Sequence, residues 1–305
     1  MSVPRVLVIG GSYFAGRVFA TLASREMELT LINRGRYSMA HLPNLKEYRC
    51  DRRDEAGLRR LPLESYDAVV DFCAYAPGDI ETLFQGLGAE FRRYIFISTA
   101  DVYDRASPRP WSEATPLGTR FPPEAAEYLG GKVALERECA EACARRGVAG
   151  TALRPAFLYG PYNYAPRESW YIQRVVKGEE IPQPTDARGQ FQFIYVKDLA
   201  EAVMACVRRG EAPGPAYNLA APEVLDYPGF LSALRAASEL PVKTRSVTVS
   251  EVLGENIPLP FPLTEADSEL FDGSLAAREL GIAYTPFREG MEKTWRAFRP
   301  VYEGR

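Results

Sequence analysis

Short apolar runs alternate with amphipathic stretches over the first 155 residues, and this alternation leaves few folds open to the chain. Five of the runs are brief, rich in branched side chains and bounded by charge or glycine, as buried strands are: 6–9, 29–32, 68–72, 94–97 and 150–153. Helical patterns lie between them at 14–25, 55–60, 80–87 and 124–144. Strands and helices in turn require right-handed crossovers. The sequence therefore predicts an α/β fold with a doubly wound parallel sheet, the Rossmann architecture.

The character of the chain changes after residue 160. Proline and aromatic residues crowd positions 161–184, and the predicted elements that follow are a helix, a strand and two helices at 196–208, 216–219, 228–238 and 274–280. No flexible linker separates the two parts. We expect a dinucleotide-binding domain over residues 1–160 and a smaller, mainly substrate-binding α/β region over 161–305 that is interleaved with it.

Composition argues against several classes of function. The 305 residues carry a net charge of −3 and no basic run, so we expect no nucleic-acid partner. The five cysteines show no CxxC spacing and His41 is the sole histidine, so we expect no metal site and no serine–histidine triad. No apolar run reaches the roughly 18 residues of a membrane span, and the first run is too short for a signal peptide. These features predict a cytoplasmic protein without a membrane partner.

Tyr128 and Lys132 stand four residues apart in a predicted helix and therefore share one of its faces. An ammonium group close to a phenol favours the phenolate, which would let the tyrosine exchange protons near neutral pH despite an ordinary pKa of about 10. Thr99, just after a predicted strand, offers a hydroxyl that would hold a substrate oxygen. The pair alone also fits a surface helix with a solvated lysine. Its place after the glycine turn and the Ser-Thr strand end favours a hydride-transfer site.

A glycine-containing turn joins the first predicted strand to the first helix. Gly10 would permit the tight turn and Gly16 the close packing of helix on strand. Backbone N–H groups at the start of that helix would face a pyrophosphate. Tyr13 replaces the middle glycine of the usual dinucleotide pattern, and a turn without a ligand is the alternative. The predicted cofactor-binding residues of this turn are Gly10, Gly11, Ser12, Tyr13, Phe14 and Gly16.

The segment after the second predicted strand bears on the choice of cofactor. Asn33 and Arg34 stand where a dinucleotide fold places an acidic residue for the adenosine ribose, and Arg36 follows. The missing carboxylate and the two arginines favour a 2′-phosphate, hence NADP over NAD, with a solvated basic loop as the alternative. Asp51 is a candidate acceptor for the adenine amino group, or a plain surface aspartate.

Five sequence blocks occur in an order that resembles the NAD-dependent epimerase/dehydratase family, the extended short-chain dehydrogenases/reductases. The blocks are 10–16, 98–103, 128–132, 153–161 and 193–198. Within that family, the glycine turn and residues 160–166 look most like a subgroup that includes the chloroplast stem-loop-binding proteins. Each block is weak alone, and together they indicate the family.

This resemblance implies roles for individual residues. Tyr128 would be the acid/base, and Lys132 would lower its pKa and bind the ribose. Thr99 would be the hydroxyl partner, with Ser98 as the alternative.

Three further residues gain a role from the same resemblance. Asp101 falls where family dehydratases carry a catalytic glutamate, but Ala100 replaces the neighbouring acid, so a simple capping role is the alternative. Ala74 and Tyr75 match the loop that lines the dinucleotide.

Two departures from the family pattern concern the substrate. Phe157 stands where similar nucleotide-sugar epimerases have an asparagine, and Phe191 where they have an arginine that clamps a diphosphate. Two expected diphosphate ligands are therefore aromatic, which argues against a UDP-sugar. Arg167, Trp170 and Arg188 would build a different pocket, or are simply loop residues.

The sequence thus predicts an NAD(P)-dependent epimerase or reductase that acts on a sugar or sugar-nucleotide-like substrate. The resemblance also implies a homodimer through the helices predicted at 80–87 and 124–144. One alternative is a protein that binds stem-loop RNA on the same fold, although those relatives, as the resemblance implies, lack a tyrosine at the position of Tyr128. Another is an NADP sensor without turnover.

Overall fold

The computed structural model describes residues 3–209 and 214–304. Its strands and helices are, in chain order, β1 (Arg5–Ile9), α1 (Phe14–Ala23), β2 (Glu28–Asn33), β3 (Leu45–Arg49), α2 (Glu55–Arg59), β4 (Ala68–Asp71), α3 (Asp79–Gly86), β5 (Arg93–Ile97), α4 (Ala126–Arg146), β6 (Ala149–Pro155), β7 (Phe157–Tyr159), α5 (Glu168–Lys177), β8 (Ile181–Pro184), β9 (Phe193–Tyr195), α6 (Val196–Arg208), β10 (Ala216–Leu219), α7 (Tyr227–Ala237), β11 (Thr244–Val247), α8 (Val249–Gly254), α9 (Ser274–Leu280) and α10 (Phe287–Tyr302).

Seven strands form one sheet in the order β10-β6-β5-β4-β1-β2-β3, and every neighbouring pair is parallel. The strand order reverses between β1 and β4. At such a point the connections leave in opposite directions, so a crevice opens at the carboxyl ends of the strands. The predicted doubly wound α/β fold is confirmed.

Helices cover both faces of this sheet. On one face α1 and α6 pack together, burying Phe19, Leu199 and Val203. On the other face α3 and α4 bury Leu83 and Leu135. Both faces of the central strands are buried, so successive residues along these strands are apolar. This burial explains the short continuous apolar runs in the sequence.

The sequence pattern placed a third strand before Asp51 but gave no bounds for it, and the structure shows it as β3. It lies at the edge of the sheet beside β2, and its sequence Leu-Lys-Glu-Tyr-Arg contains no continuous apolar run. Charged side chains are usual on an edge strand, where they discourage pairing with another chain. The helices α5 and α10 were not predicted, and α4 begins at Ala126 rather than at residue 124.

The part of the chain after residue 160 is joined closely to the first part. Strand β10 pairs with β6 in the main sheet, and α6 packs against α1. Two small parallel sheets, β7 with β9 and β8 with β11, carry the helices α5, α7 and α10 around a cluster of aromatic rings. The division at residue 160 stays a prediction. None of the described helices combines the length and the apolar composition needed to cross a bilayer.

Candidate functional site

A cavity of about 650 Å³ opens at the carboxyl ends of β1, β2, β4 and β5. The loop after β7 closes its other side, with Asn163, Tyr164 and Arg167. Most of the residues singled out from the sequence line this one cavity: Gly10, Gly11, Ser12, Tyr13, Phe14, Gly16, Asn33, Arg34, Asp51, Tyr75, Ser98, Thr99, Tyr128 and Lys132. Ala74 and Asp101 are not among the lining residues.

The glycine turn is too tight for side chains. Gly11 has φ +58°, and a Cβ there would lie 2.9 Å from Cγ1 of Val8. A Cβ on Gly16 would lie 2.8 Å from the Cα of Gly11. Helix α1 starts directly after this turn and has no acidic residue in its first turn. The free N–H groups at its start therefore face the cavity without a competing carboxylate, which fits a phosphate group.

Tyr13 links the two parts of the chain. Its ring stacks on Tyr37, with 5.6 Å between centroids, and on Tyr164, with 5.0 Å between centroids. About half of the Tyr13 surface is exposed. The residue at the place of the middle glycine is thus the centre of a three-tyrosine stack that runs from the loop after β2 to the loop after β7.

The end of β2 forms the basic side of the cavity. Asn33 is buried, accepts a hydrogen bond from the Gly35 N–H at 2.6 Å and donates one to Glu47 at 2.6 Å, so its amide holds the loop. Arg34 is exposed and also borders an adjoining depression of about 530 Å³, together with Arg49 and Arg60.

Neither of these added arginines was singled out from the sequence. Arg49 ends β3, a strand for which the sequence pattern gave no bounds, and Arg60 caps α2. The predicted strand pattern therefore gave no reason to place either of them near Arg34. Asp51 and Asp54 border the same depression, so it is not purely basic.

Lys132 is buried, with 3% of its surface exposed, and its ammonium group is held by two backbone oxygens. Nζ donates to the carbonyl oxygens of Ala74 and Ile97, each at 2.9 Å. Burial lowers its pKa to about 8, although the charge of Asp71 acts in the opposite direction. Lys132 thus joins the loop after β4 to the end of β5. Ala74 contributes a backbone oxygen to this contact.

Tyr128 lies on the same face of α4 as Lys132, as expected, but the predicted effect on its pKa is absent from this structure. Lys132 Nζ is 5.9 Å from the centroid of the Tyr128 ring. Desolvation in the cleft raises the phenol pKa to about 12, and Asp101 and Tyr164 act in the same direction. The cation that opposes this rise is Arg167. The expected lowering of the phenol pKa by Lys132 was wrong, because two carbonyl groups already hold the ammonium.

The two hydroxyls at the end of β5 have different partners. Ser98 Oγ donates to Glu136 at 2.5 Å, and Glu136 also forms a buried ion pair with Arg154. Thr99 Oγ1 accepts from the N–H of Asp101 at 3.3 Å. Ser98 is therefore engaged in a buried network between α4 and β6, while Thr99 caps the turn that follows the strand.

Asp101 lies in that turn and pairs with a residue far away in sequence. Its carboxyl group lies beside the side chains of Thr99 and Glu269. Glu269 in turn accepts from Arg105 at 3.1 Å. Burial raises the pKa of Asp101, and burial together with the Asp101 charge raises that of Glu269 to about 8. Burial and mutual repulsion therefore oppose ionisation of both carboxyl groups at once. Glu269 was missed because nothing in the sequence connects it to residue 101.

A buried glutamate shapes the loop that bears Tyr164 and Arg167. Glu168 is fully buried and accepts hydrogen bonds from the Gly160 N–H at 3.1 Å and from Asn163 Nδ2 at 3.0 Å to each oxygen. Burial raises the pKa of Glu168 to about 7. The loop conformation therefore depends on a carboxyl group that water does not reach.

The aromatic residues that replace the expected diphosphate ligands lie inside a cluster of rings. Phe191 is fully buried and stacks on Phe261, with 4.6 Å between centroids. Phe157 meets the edge of Phe261 at 5.6 Å and lies beside Phe193 at 5.8 Å. The space around Phe157 and Phe191 is therefore occupied by packed aromatic rings.

Of the three residues suggested for a different pocket, only Arg167 lines the cavity. Trp170 is covered by Arg174, whose guanidinium lies 4.9 Å from its ring. The backbone N–H of Arg188 bonds to Leu263.

Comparison with known proteins agrees with the resemblance seen in the motifs. The model of the NAD dependent epimerase/dehydratase family matches residues 80–220. A chloroplast stem-loop binding protein of 41 kDa from Arabidopsis thaliana is 27% identical over 255 residues, which cover 79% of this chain and 65% of that protein, slightly less than two thirds of its length. A dTDP-glucose 4,6-dehydratase from Streptomyces niveus is 27% identical over 247 residues, which cover 70% of this chain and 72% of that enzyme.

Solved structures share the whole fold. The UDP-glucose 4-epimerase of Thermus thermophilus, solved with NAD, has a TM-score of 0.72 at 21% identity, covering 97% of this chain and 99% of its own. The epimerase Mth375 of Methanothermobacter thermautotrophicus has a TM-score of 0.77 at 18% identity, and the match covers 99% of this chain and 94% of the Mth375 chain. The resemblance to the NAD-dependent epimerase/dehydratase family is confirmed.

Proposed function

We propose that this chain is a nicotinamide-dependent enzyme of the epimerase or reductase type that acts on a sugar-like substrate. Hydride would move between a substrate carbon and the cofactor, while Tyr128 exchanges the proton of the substrate hydroxyl. The observation that carries this proposal is the meeting of Tyr128, Lys132 and Thr99 at one end of the cavity whose other end is the glycine turn. The names of the relatives agree with a sugar-related epimerase or dehydratase.

The cavity fits a dinucleotide. The glycine turn offers backbone N–H groups for a pyrophosphate, and Lys132 and Tyr75 lie towards the reacting end. Arg34, Arg49 and Arg60 around the basic side favour a 2′-phosphate, and thus NADP. The bound cofactor supplies the hydride acceptor or donor.

The protonation state of Tyr128 decides what it does at neutral pH. With a pKa near 12 the phenol keeps its proton, so it is ready to donate one to a substrate oxygen. In the reverse direction a nearby positive charge must favour the phenolate, and Arg167 is the cation beside it. Thr99 offers a hydroxyl on the same wall of the cavity for the substrate oxygen.

The variant Tyr128→Phe tests the proposal. It removes one oxygen and leaves the ring packing almost unchanged, so stability and cofactor binding should survive. Turnover should fall by about 10²–10⁴-fold, the usual contribution of a general acid–base group. The measurement is nicotinamide absorbance in a screen of simple sugars and sugar nucleotides. Tyr162→Phe is the control, because Tyr162 is exposed and outside the cavity lining. Full activity in Tyr128→Phe would rule out the proposed role.

Lys132→Ala should act on two properties at once. Loss of the ammonium removes the contacts to the loop after β4 and to the end of β5. We therefore expect lower cofactor affinity as well as lower turnover. A variant that loses turnover but binds the cofactor with unchanged affinity would restrict Lys132 to the chemical step.

RNA binding is a second candidate function. Tyr13, Tyr162 and Tyr164 are about half exposed, and the guanidinium of Arg17 lies 4.6 Å from the Tyr162 ring. Exposed rings with arginines can stack on unpaired bases. Titration of a labelled stem-loop RNA between about 50 and 200 mM salt would show a falling affinity if this function is real. Strong RNA binding without turnover of any substrate would favour it over the enzyme, and cofactor occupancy alone would favour a sensor.

We also propose a homodimer through α3 and α4, which pack side by side and share the Arg145–Glu81 ion pair. Light scattering should give twice the mass of the 34.0 kDa chain. A monomer at micromolar concentration would exclude this interface.

A further inference from the structure

We infer that the substrate is a small molecule with an anionic group, a phosphate or a carboxylate, that Arg167 binds, and that it has no nucleotidyl part. This inference rests on the proposed function, since it takes the cavity beside Tyr128 as the place of the substrate. It narrows the substrate from any sugar or sugar nucleotide to a compact anionic one.

Arg167 lies at the reacting end of the cavity and has no ionic partner among the described residues. It lines the cavity directly before α5, and its guanidinium lies 5.1 Å from the Phe157 ring. Within residues 3–209 and 214–304 the guanidinium makes no hydrogen bond and no ion pair. A planar guanidinium with all its N–H donors available suits the paired oxygens of a carboxylate or phosphate.

The acidic residues around Arg167 hold their protons more strongly than exposed acids do. Arg105 and Arg167 contribute two positive charges, and Asp101, Glu269 and the buried Glu168 are the acids that interact with them. Burial raises the pKa of each of these carboxyl groups, so together they carry less negative charge near neutral pH than exposed acids would. Arg105 is already paired with Glu269, at 3.1 Å. The remaining positive charge is that of Arg167, beside Tyr128.

The aromatic cluster leaves no room for a nucleotide next to this site. Phe191, Phe193 and Phe261 are each at most 3% exposed and lie in mutual contact, with ring centroids 4.6–5.7 Å apart. In the described part of the chain, the cavity lining ends at Arg167 and includes none of these rings. A nucleoside diphosphate entering from this side would have to displace several buried rings, each of which stabilises the fold by its packing.

Matched ligands separate the two parts of the inference. Protein saturated with its nicotinamide cofactor, which occupies the phosphate sites at the other end, is titrated by calorimetry with glucose, glucose 1-phosphate and UDP-glucose. Glucuronate keeps the sugar ring and carries a carboxylate in place of the C6 hydroxymethyl group, so it shows whether a carboxylate binds as well as a phosphate. We expect glucose 1-phosphate or glucuronate to bind at least about tenfold more tightly than glucose. UDP-glucose should bind no more tightly than glucose 1-phosphate.

Variants assign the effect to Arg167. Arg167→Gln should remove the advantage of the anionic ligands, and Arg188→Gln, which changes an arginine outside the cavity lining, should keep it. Thermal unfolding shows whether both variants are folded. Three results would overturn the inference: UDP-glucose binding about tenfold more tightly than glucose 1-phosphate, anionic ligands binding no more tightly than glucose or not at all, or an unchanged advantage in Arg167→Gln. None of these depends on turnover, so failure here is separate from the outcome with Tyr128→Phe.

Discussion

The two ends of the cleft are built in different ways. The cofactor end consists of a glycine turn, backbone N–H groups and exposed arginines around open space. At the other end, the guanidinium of Arg167, which forms no ion pair within the described residues, lies against rings that pack on one another. The cofactor end needs particular residues at particular spacings, whereas the aromatic cluster at the other end needs only large apolar side chains that fill the available volume. The proposed reaction therefore rests on sequence motifs, whereas the proposed limit on the substrate rests on side-chain packing.

The largest expected effect tests how much the packing of the aromatic cluster contributes to stability. Phe191→Ala removes a fully buried ring, and a cavity of that kind costs about 3–5 kcal/mol of the free energy of unfolding. Tyr13→Ala at the cofactor end removes a half-exposed ring with two stacked neighbours, which should cost at most about 2 kcal/mol. Urea unfolding measures both. Equal losses would mean that the two ends do not differ in packing.

The stability of the fold should depend on pH through Glu168, which shapes the loop that bears Arg167. The folded-state pKa of Glu168 is about 7, above its ordinary value of 4.5, so the folded protein binds the extra proton between these values. The stability that this group contributes is thus present below pH 4.5 and is lost as pH rises to 7. Between about pH 4 and pH 8, the free energy of unfolding of the wild type should fall by about 3 kcal/mol relative to that of Glu168→Gln.

Urea unfolding at several pH values, with the exposed Glu180→Gln as control, measures this difference. If the wild type and Glu168→Gln lose stability in parallel, then Glu168 is not the titrating group, and the loop that carries Arg167 is held in another way.

The smallest expected effect concerns cofactor choice. Arg34→Ala should raise the dissociation constant of NADP by about ten- to a hundredfold, because a charge-assisted hydrogen bond contributes about 1.5–3 kcal/mol. The affinity for NAD, which lacks the 2′-phosphate, should hardly change. Fluorescence titration with both cofactors measures this, and Arg25→Ala, an exposed arginine outside the lining, is the control. Equal weakening of both cofactors would give Arg34 a different role.

The sequence was sufficient to predict the features that depend on local patterns. The central strands are apolar because both their faces are covered, and the turn around Gly11 and Gly16 has no space for a Cβ. Tyr128 and Lys132 share a helix face because they are four residues apart. Each of these follows from neighbours along the chain.

The features that were missed depend on the fold as a whole. Glu269 reaches Asp101 although the two residues are far apart in sequence, and only the folded chain brings their carboxyl groups together. The expected lowering of the phenol pKa failed for a similar reason. The acceptors of Lys132 are backbone oxygens after β4 and at the end of β5, and no side-chain pattern reveals them.

Strand β10 has a consequence for how the chain is made. It pairs with β6 along residues 216–219 and covers what would otherwise be an unpaired edge of the sheet. During synthesis the first 155 residues leave the ribosome before this partner exists, so β6 carries free backbone N–H and C=O groups until residue 219 has emerged. Unprotected edges of this kind promote aggregation. A shortened chain that stops near residue 160 would keep that hazard permanently, however well its glycine turn is formed.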